Sequence, residues 1–266
     1  MSEVSLAQQN FLLTHKKHQR IVTVSRLCIF LLFLGLWEGA ARLDIIDSFF
    51  FSSPSRVILC AWDMVLDHTL FVHAGITLFE TIVSFILVTV FALITTIILW
   101  MNKKISETLE PYLVILNSLP KSALAPLLIV WLGANYNTII ITGVSVAIFG
   151  SILSLYTSFQ SVDPEKIKLI QTLGGKKYHI LTKVILPANI PALYSLMKVN
   201  IGLCLVGVII GEFISSRQGL GYLIIYGSQV FKLDFVIMSI VILCLLAWGL
   251  YSLLICLEKR YLKRMS

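Results

Sequence analysis

Six stretches of this sequence stay apolar for about 20 residues, the length at which one α-helix crosses the hydrocarbon core of a bilayer. They fall at 22–42, 74–101, 112–132, 137–157, 192–214 and 235–257. The third, "YLVILNSLPKSALAPLLIVWL", is interrupted by Pro120, Lys121 and Pro126. Proline weakens a helix because it removes a backbone donor. With 58% hydrophobic and 13% charged residues, the chain has too little polar surface for a globular, water-soluble enzyme, in which about a quarter of residues are charged. The expected fold class is an all-α membrane protein with six transmembrane helices.

Charge orients the chain. With the N-terminus in the cytoplasm, fifteen basic residues lie inside: Lys16, Lys17, Arg20, Arg26, Lys103, Lys104, Lys166, Lys168, Lys176, Lys177, Lys183, Lys259, Arg260, Lys263 and Arg264. Four lie outside (Arg42, Arg56, Arg217 and Lys232), while Lys121 and Lys198 fall within spans. Loops rich in Lys and Arg stay cytoplasmic, so both termini are expected there. The net charge of +7 is then a topology signal and calls for no nucleic-acid partner. The outer loop 43–73 adds Asp44, Asp47, Asp63 and Asp67. The chain divides into an N-terminal tail (1–21), a transmembrane domain (22–257) and a C-terminal tail (258–266). "GAA" at 39–41 imitates a signal-peptide cleavage site, but Glu38 lies beside it and a long polar stretch precedes it, so the first helix is expected to stay uncleaved. The five cysteines show no CxxC spacing and read as small buried hydrophobes, with no metal or disulfide framework.

One polar segment stands apart. Residues 163–187 carry five lysines between two apolar spans. Asp163-Pro164 reads as a helix start, an N-cap acceptor followed by proline in the first turn, and Glu165 adds favourable negative charge there. Ile167, Ile170 and Leu173 form an apolar stripe. Gly174, followed by Gly175, suits the left-handed position that ends a helix. A second amphipathic helix is expected next, with Tyr178, Leu181, Val184 and Ile185 on one face and Pro187 as its stop. Such a helix–Gly–helix hairpin can lie on anionic lipid through its lysines, or it can receive a soluble partner.

A family resemblance favours the partner. The segment resembles the cytoplasmic signature loop of importer-type ABC permeases: Glu-Ala-Ala, three residues, Gly, nine residues, Ile, one residue, Leu-Pro. Here Lys168-Leu169-Ile170 stand at Glu-Ala-Ala, Gly174 at the Gly, Val184 at the Ile and Leu186-Pro187 at Leu-Pro. "LNSLPKSALAPLLIVWLGANYNT" (116–138), "GEFISSRQGLGYLI" (211–224), "FSSPSRVI" (51–58) and "LWEGAARL" (36–43) are similar to segments of the nitrate/sulfonate/taurine group. The resemblance implies a type I importer permease in a bacterial inner membrane. It implies two copies facing each other, ABC ATPase subunits gripping Glu165, Lys168, Leu169, Ile170, Leu173, Gly174, Gly175, Val184, Leu186 and Pro187, and an extracytoplasmic binding protein that delivers solute. The chain has no G-x-x-x-x-G-K-[ST] phosphate loop, so it is expected to be no enzyme, and ATP with its magnesium ion belongs to the ATPase.

Polar residues inside spans usually face a bundle interior or a pathway. Asn117, Lys121, Ser145, Asn200 and Glu212 are the pathway candidates, with Ser118 and Lys198 beside them; Lys121 would suit an anion. Glu212 and Glu38 also read as interfacial, Glu80 as bundle-facing and hydrogen-bonded, and His68 and His73 as interfacial. Residues 215–234 read as a loop over the pore mouth or a short gating or docking helix. Group resemblance suggests a nitrate-, sulfonate- or taurine-like anion, with a thiamine pyrimidine or riboflavin as the alternative. An ion-coupled secondary transporter using Glu38, Glu80 and Glu212 is the rival class; the internal repeats common in such carriers are not evident.

Overall fold

The computed structural model describes residues 6–265 and is helical throughout. Its elements are α1 (Leu6–Arg42), α2 (Ser48–Phe51), α3 (Pro54–Leu66), α4 (Thr69–Met101), α5 (Lys103–Ser118), α6 (Lys121–Leu132), α7 (Tyr136–Gln160), α8 (Pro164–Thr172), α9 (Lys177–Ile180), α10 (Leu186–Ser215), α11 (Leu220–Gln229) and α12 (Leu233–Met265), with a π-helical turn at Leu181–Ile185. Polar caps set several starts. Asp47, Ser53, Asn102, Asn135 and Asp163 each accept a backbone N–H from the first turn of the following helix. The outermost parts of the two expected tails, residues 1–5 and Ser266, lie outside the described residues. The remainder of each is helical, continuous with α1 and α12.

Five helices are long and apolar enough to cross a bilayer: His18–Arg42, Thr69–Met101, Tyr136–Gln160, Lys177–Ser215 and Leu233–Tyr261. A sixth candidate is a broken pair, α5 and α6, bent by 96°. The interruption expected within 112–132 thus falls at Pro120, and the first helix of the pair begins earlier, at Lys103. The residue before a proline is pushed out of the helical region, and Leu119, before Pro120, adopts φ −63°, ψ 141°.

The centre of the bundle is α7, packed along both α4 and α10. Small residues allow the approach. A Cβ on Gly207 would meet the Gly143 Cα at 2.8 Å, and one on Gly143 would meet the Ser84 hydroxyl at 2.6 Å. Such contacts drive helix association in lipid, where helices gain nothing from leaving water. Hydroxyl and amide groups add cross-links: Ser84 donates to the Ile140 carbonyl at 3.0 Å, and Ser151 donates to Asn200 at 2.8 Å. By contrast, the most apolar window of α1 buries none of its residues within the chain. Cys204 is buried at the bundle centre, but Cys28, Cys244 and Cys256 are exposed, so the expectation of buried cysteines fails for these three. They lie within apolar spans, where a thiol can face lipid as a small hydrophobe.

Candidate coupling hairpin and translocation groove

The polar segment begins as its sequence implies. Asp163 accepts the Glu165 N–H at 2.9 Å, and Pro164 occupies the first turn of α8. The helix stops at a glycine turn. Gly174 has φ +77° and donates to Gln171 at 3.0 Å; Gly175 donates to Ile170 at 2.8 Å. This pair of bonds satisfies carbonyls that a helix end leaves open, and it needs a left-handed residue between them. A Cβ at Gly174 would meet nothing within 4 Å, whereas one at Gly175 would meet the Ile170 carbonyl oxygen at 2.8 Å.

The second half differs from expectation. Pro187 does not stop a helix: α9, the π turn and α10 run as one helix over Lys177–Ser215, and Pro191 lies inside α10. The π turn explains the tolerance. Leu186 N–H bonds back to Leu181, five residues away, so the ladder has already widened where Pro187 supplies no donor. The widened turn also changes the buried face. Ile180, Leu181 and Ile185 are buried with Leu155 and Phe159 of α7, Val184 and Leu186 are half-buried, and Tyr178 points outward at 64% exposure.

On α8, Ile167 and Ile170 pack against that cluster. Leu169 and Leu173 are 59% and 75% exposed. Leu173 therefore leaves the expected stripe. Glu165, Lys168 and Pro187 are exposed as well. The hairpin thus shows one apolar side to the bundle and leaves Leu169, Leu173 and Tyr178 uncovered.

Between α7 and α10 lies a groove of about 440 Å³ lined by Ser151, Ser154, Ser158, Ser195 and Asn200 with apolar neighbours. Hydroxyls at 151, 154 and 158 recur on one helical face, a spacing visible in the sequence but not read there as a signal. Asn200 reaches this groove. Asn117 touches its rim: its side-chain oxygen would lie 3.1 Å from a Cβ on Gly150, which lines the groove. Lys121, in the first turn of α6, donates to that same Asn117 oxygen at 3.4 Å and has no acidic partner among the described residues. Ser145 turns onto the Thr142 carbonyl, outside the groove. Ser118 bonds Val114 of its own helix, and Lys198 is paired with Glu258 at 2.8 Å.

Glu212 is drawn into the chain's interior near the end of α10. It is 1% exposed, accepting from the Thr77 hydroxyl and the Gly221 N–H, both at 2.6 Å. Glu80 lies against it, fully buried, with the two carboxyl groups within hydrogen-bonding reach when one of them holds a proton. The bundle-facing placement of Glu80 thus holds. Glu38 pairs with Arg42 at 2.7 Å and accepts from Ser55. His68 is exposed in the turn before α4, whereas His73 is drawn inward to accept the Gly219 N–H at 3.0 Å.

The fold matches an inward-facing structure of the MetNI methionine ABC transporter, with a TM-score of 0.61 at 18% identity over 71% of this chain and 94% of that one. A probable ABC transporter permease protein of Haemophilus influenzae is 29% identical over 82% of this chain and 88% of its own length. A putative aliphatic sulfonates transport permease of Bacillus subtilis is 24% identical over 86% and 83%. A formylaminopyrimidine transport permease of Halalkalibacterium halodurans is 24% identical over 73% and 76%. The model of the binding-protein-dependent transport system inner membrane component family matches residues 88–266, more than half of the chain. The chain therefore belongs to that family and is a multi-pass, non-catalytic inner-membrane permease subunit of an ABC importer, working with a separate ATPase and a binding protein.

Proposed function

We propose that this permease carries a small organic anion of the sulfonate type, and that two copies enclose its path. Lys121 carries the reading. An ammonium in a membrane span is costly unless compensated, and this one has only an amide oxygen at 3.4 Å. It lies at a helix start, where the backbone dipole adds positive potential, beside a hydroxyl-lined groove. A passing anion would supply the missing partner. The likeness to a sulfonate permease supports this class.

The neutral reading rests on a different observation. The groove's polar lining is hydroxyl and amide groups set among apolar neighbours, with no charged residue, which would suit an uncharged heteroaromatic such as a formylaminopyrimidine. The matching identity of that relative gives no preference between the two.

The hairpin 163–187 is proposed to lie in the cytoplasm, with both chain ends, and to receive the ATPase through Leu169, Leu173 and Tyr178. Movement there would pass directly into α10, because the hairpin's second half is the start of that helix.

The test is uptake by the complete complex in proteoliposomes, comparing ethanesulfonate with formylaminopyrimidine. The expected result is ethanesulfonate uptake that falls at least about tenfold in Lys121→Gln and partly recovers in Lys121→Arg. Formylaminopyrimidine uptake that is indifferent to Lys121→Gln, with no ethanesulfonate uptake, would sink the anion reading.

A further inference from the structure

The turn joining α10 to α11 is held from behind by side chains distant in sequence. Glu212 accepts the Gly221 N–H and the Thr77 hydroxyl. The Thr77 oxygen in turn accepts the Leu220 N–H at 2.8 Å, and His73 Nδ1 accepts the Gly219 N–H while its ring stacks on Tyr222. Three successive backbone donors are thus taken by side chains of α4 and α10. Gly219 has φ +112°, and a Cβ there would strike the Glu212 carboxyl group; one at Gly221 would lie 2.7 Å from its Oε2. In front, the Gln218 N–H donates to the Ser216 hydroxyl at 3.0 Å. The backbone between them is fixed.

That backbone carries Arg217 at the edge of a pocket of about 380 Å³, lined also by Asn135, Tyr136, Ser215, Ser216 and Gln218. No acid lines it. Arg217 makes no hydrogen bond or ion pair among the described residues. Glu212, the acid closest to it in sequence, has both oxygens engaged behind the turn. The pocket sits where α7 begins and α10 ends, whereas the hairpin joins the end of α7 to the start of α10. It therefore opens on the face opposite the hairpin.

We infer that this pocket is a receiving site for a small anion at the outer mouth, with Arg217 as its cation and Glu212 as the positioning residue that fixes the turn. The inference rests on the anion reading of Lys121. A guanidinium offers a planar fork of donors that matches a sulfonate or carboxylate in two bonds. The surrounding hydroxyl and amide groups complete a neutral rim. Arg217 would receive the anion released by the binding protein, and Lys121 would meet it deeper in the path.

The site is tested by thiol modification at its rim and by transport. Gln218→Cys is introduced into complexes whose five native cysteines are alanine and which still transport. Sulfonatoethyl methanethiosulfonate, an anion, should modify it about fivefold faster than the trimethylammonioethyl reagent, each rate scaled to that on a free thiol. Arg217→Gln should abolish the bias, and Glu212→Ala should abolish it with Arg217 still present. An unchanged bias in Arg217→Gln overturns the site. In uptake, Arg217→Gln should raise the half-saturating ethanesulfonate concentration about tenfold at an unchanged maximal rate, and Arg217→Lys should restore part of the loss. Lys121→Gln should lower the maximal rate instead. Normal half-saturation in Arg217→Gln overturns the outer site while leaving Lys121 in place. A reagent bias that depends on Arg217 in a complex that transports no sulfonate supports the pocket and overturns the Lys121 reading.

Discussion

Two glycine turns bracket the 39-residue helix Lys177–Ser215, and they are built in opposite ways. The turn at Gly174-Gly175 closes on its own helix through bonds to Gln171 and Ile170, and Gly174 has open space around it. The turn at Gly219 to Gly221 closes on Glu212 of α10 and on two residues of α4, which lie 143 and 146 positions away. One draws its hydrogen bonds from its own helix and touches the bundle only through apolar side chains such as Ile167 and Ile170. The other is fixed to the bundle and resists displacement. A helix held by hydrogen bonds at one end and only by apolar packing at the other, here called the free end, must take up motion along its length, and the π turn at Leu181–Ile185 is the interruption nearest that end. Mid-helix π turns often mark such functional sites.

The largest effects are expected at the held end. Glu212→Ala orphans the Gly221 N–H and removes an acceptor from Thr77. Each unsatisfied buried group costs about 1–3 kcal/mol, so the loss should be on the order of 3 kcal/mol, read as a lower melting temperature of the purified complex. Gly219→Val should be at least as damaging, since a β-branched residue is strained at φ +112° and its Cβ meets the carboxyl. Glu80→Gln tests the specificity of this claim. It keeps the shape of the side chain and a donor that can face Glu212, and its effect should stay within about 1 kcal/mol. Equal losses in Glu80→Gln and Glu212→Ala would mean that burial, and not the tie to α11, sets the stability of this end.

The same contrast explains what could be read from the chain. Asp163-Pro164 and Gly174 are local signals, decided by residues within a few positions, and the structure places both as the sequence implies. Five of the membrane crossings follow from apolar length alone. The break at Pro120 was marked by the proline, but its angle was not, because neighbouring helices set it. Pro187 misled because the preceding π turn accommodates it. The roles of Thr77 and His73 carried no local signal at all. They meet the α11 turn only after α4 and α10 have packed, and "GLG" at 219–221 gives no hint of a carboxylate behind it.

Effects of intermediate size should appear at the free end, in transport more than in stability. Gly174→Pro demands φ near −65° where the chain has +77°. It should abolish uptake and uncouple the ATPase while the amount of permease in the membrane stays normal. Gly174→Ala meets no neighbour and should cost only about 1–2 kcal/mol for the left-handed backbone, leaving partial uptake. Gly175→Ala should be worse than Gly174→Ala despite its ordinary φ, because its Cβ meets the Ile170 carbonyl. Uptake assays on the three variants give the order, and normal uptake by an assembled Gly174→Pro complex would remove the turn from the mechanism. Leu169→Asp with Leu173→Asp should leave the fold intact, since both side chains are exposed, and should release the ATPase on purification.

The smallest effect is expected between the two turns, where the Lys198–Glu258 pair ties α10 to α12 at 2.8 Å. Its side chains are 21% and 18% exposed, so the pair is neither freely solvated nor deeply buried. Removing one member should cost about 1–2 kcal/mol, mostly from the charge left behind. Removing both should recover most of it. Lys198→Met should therefore lower the melting temperature slightly, and Lys198→Met with Glu258→Met should restore it. Uptake should stay near normal in both, because a lysine already paired within the bundle has no vacancy for a solute, in contrast to Lys121. A double variant that regains stability but not uptake would mean that this tie, and not only the π turn, governs how α10 yields when the hairpin is pushed.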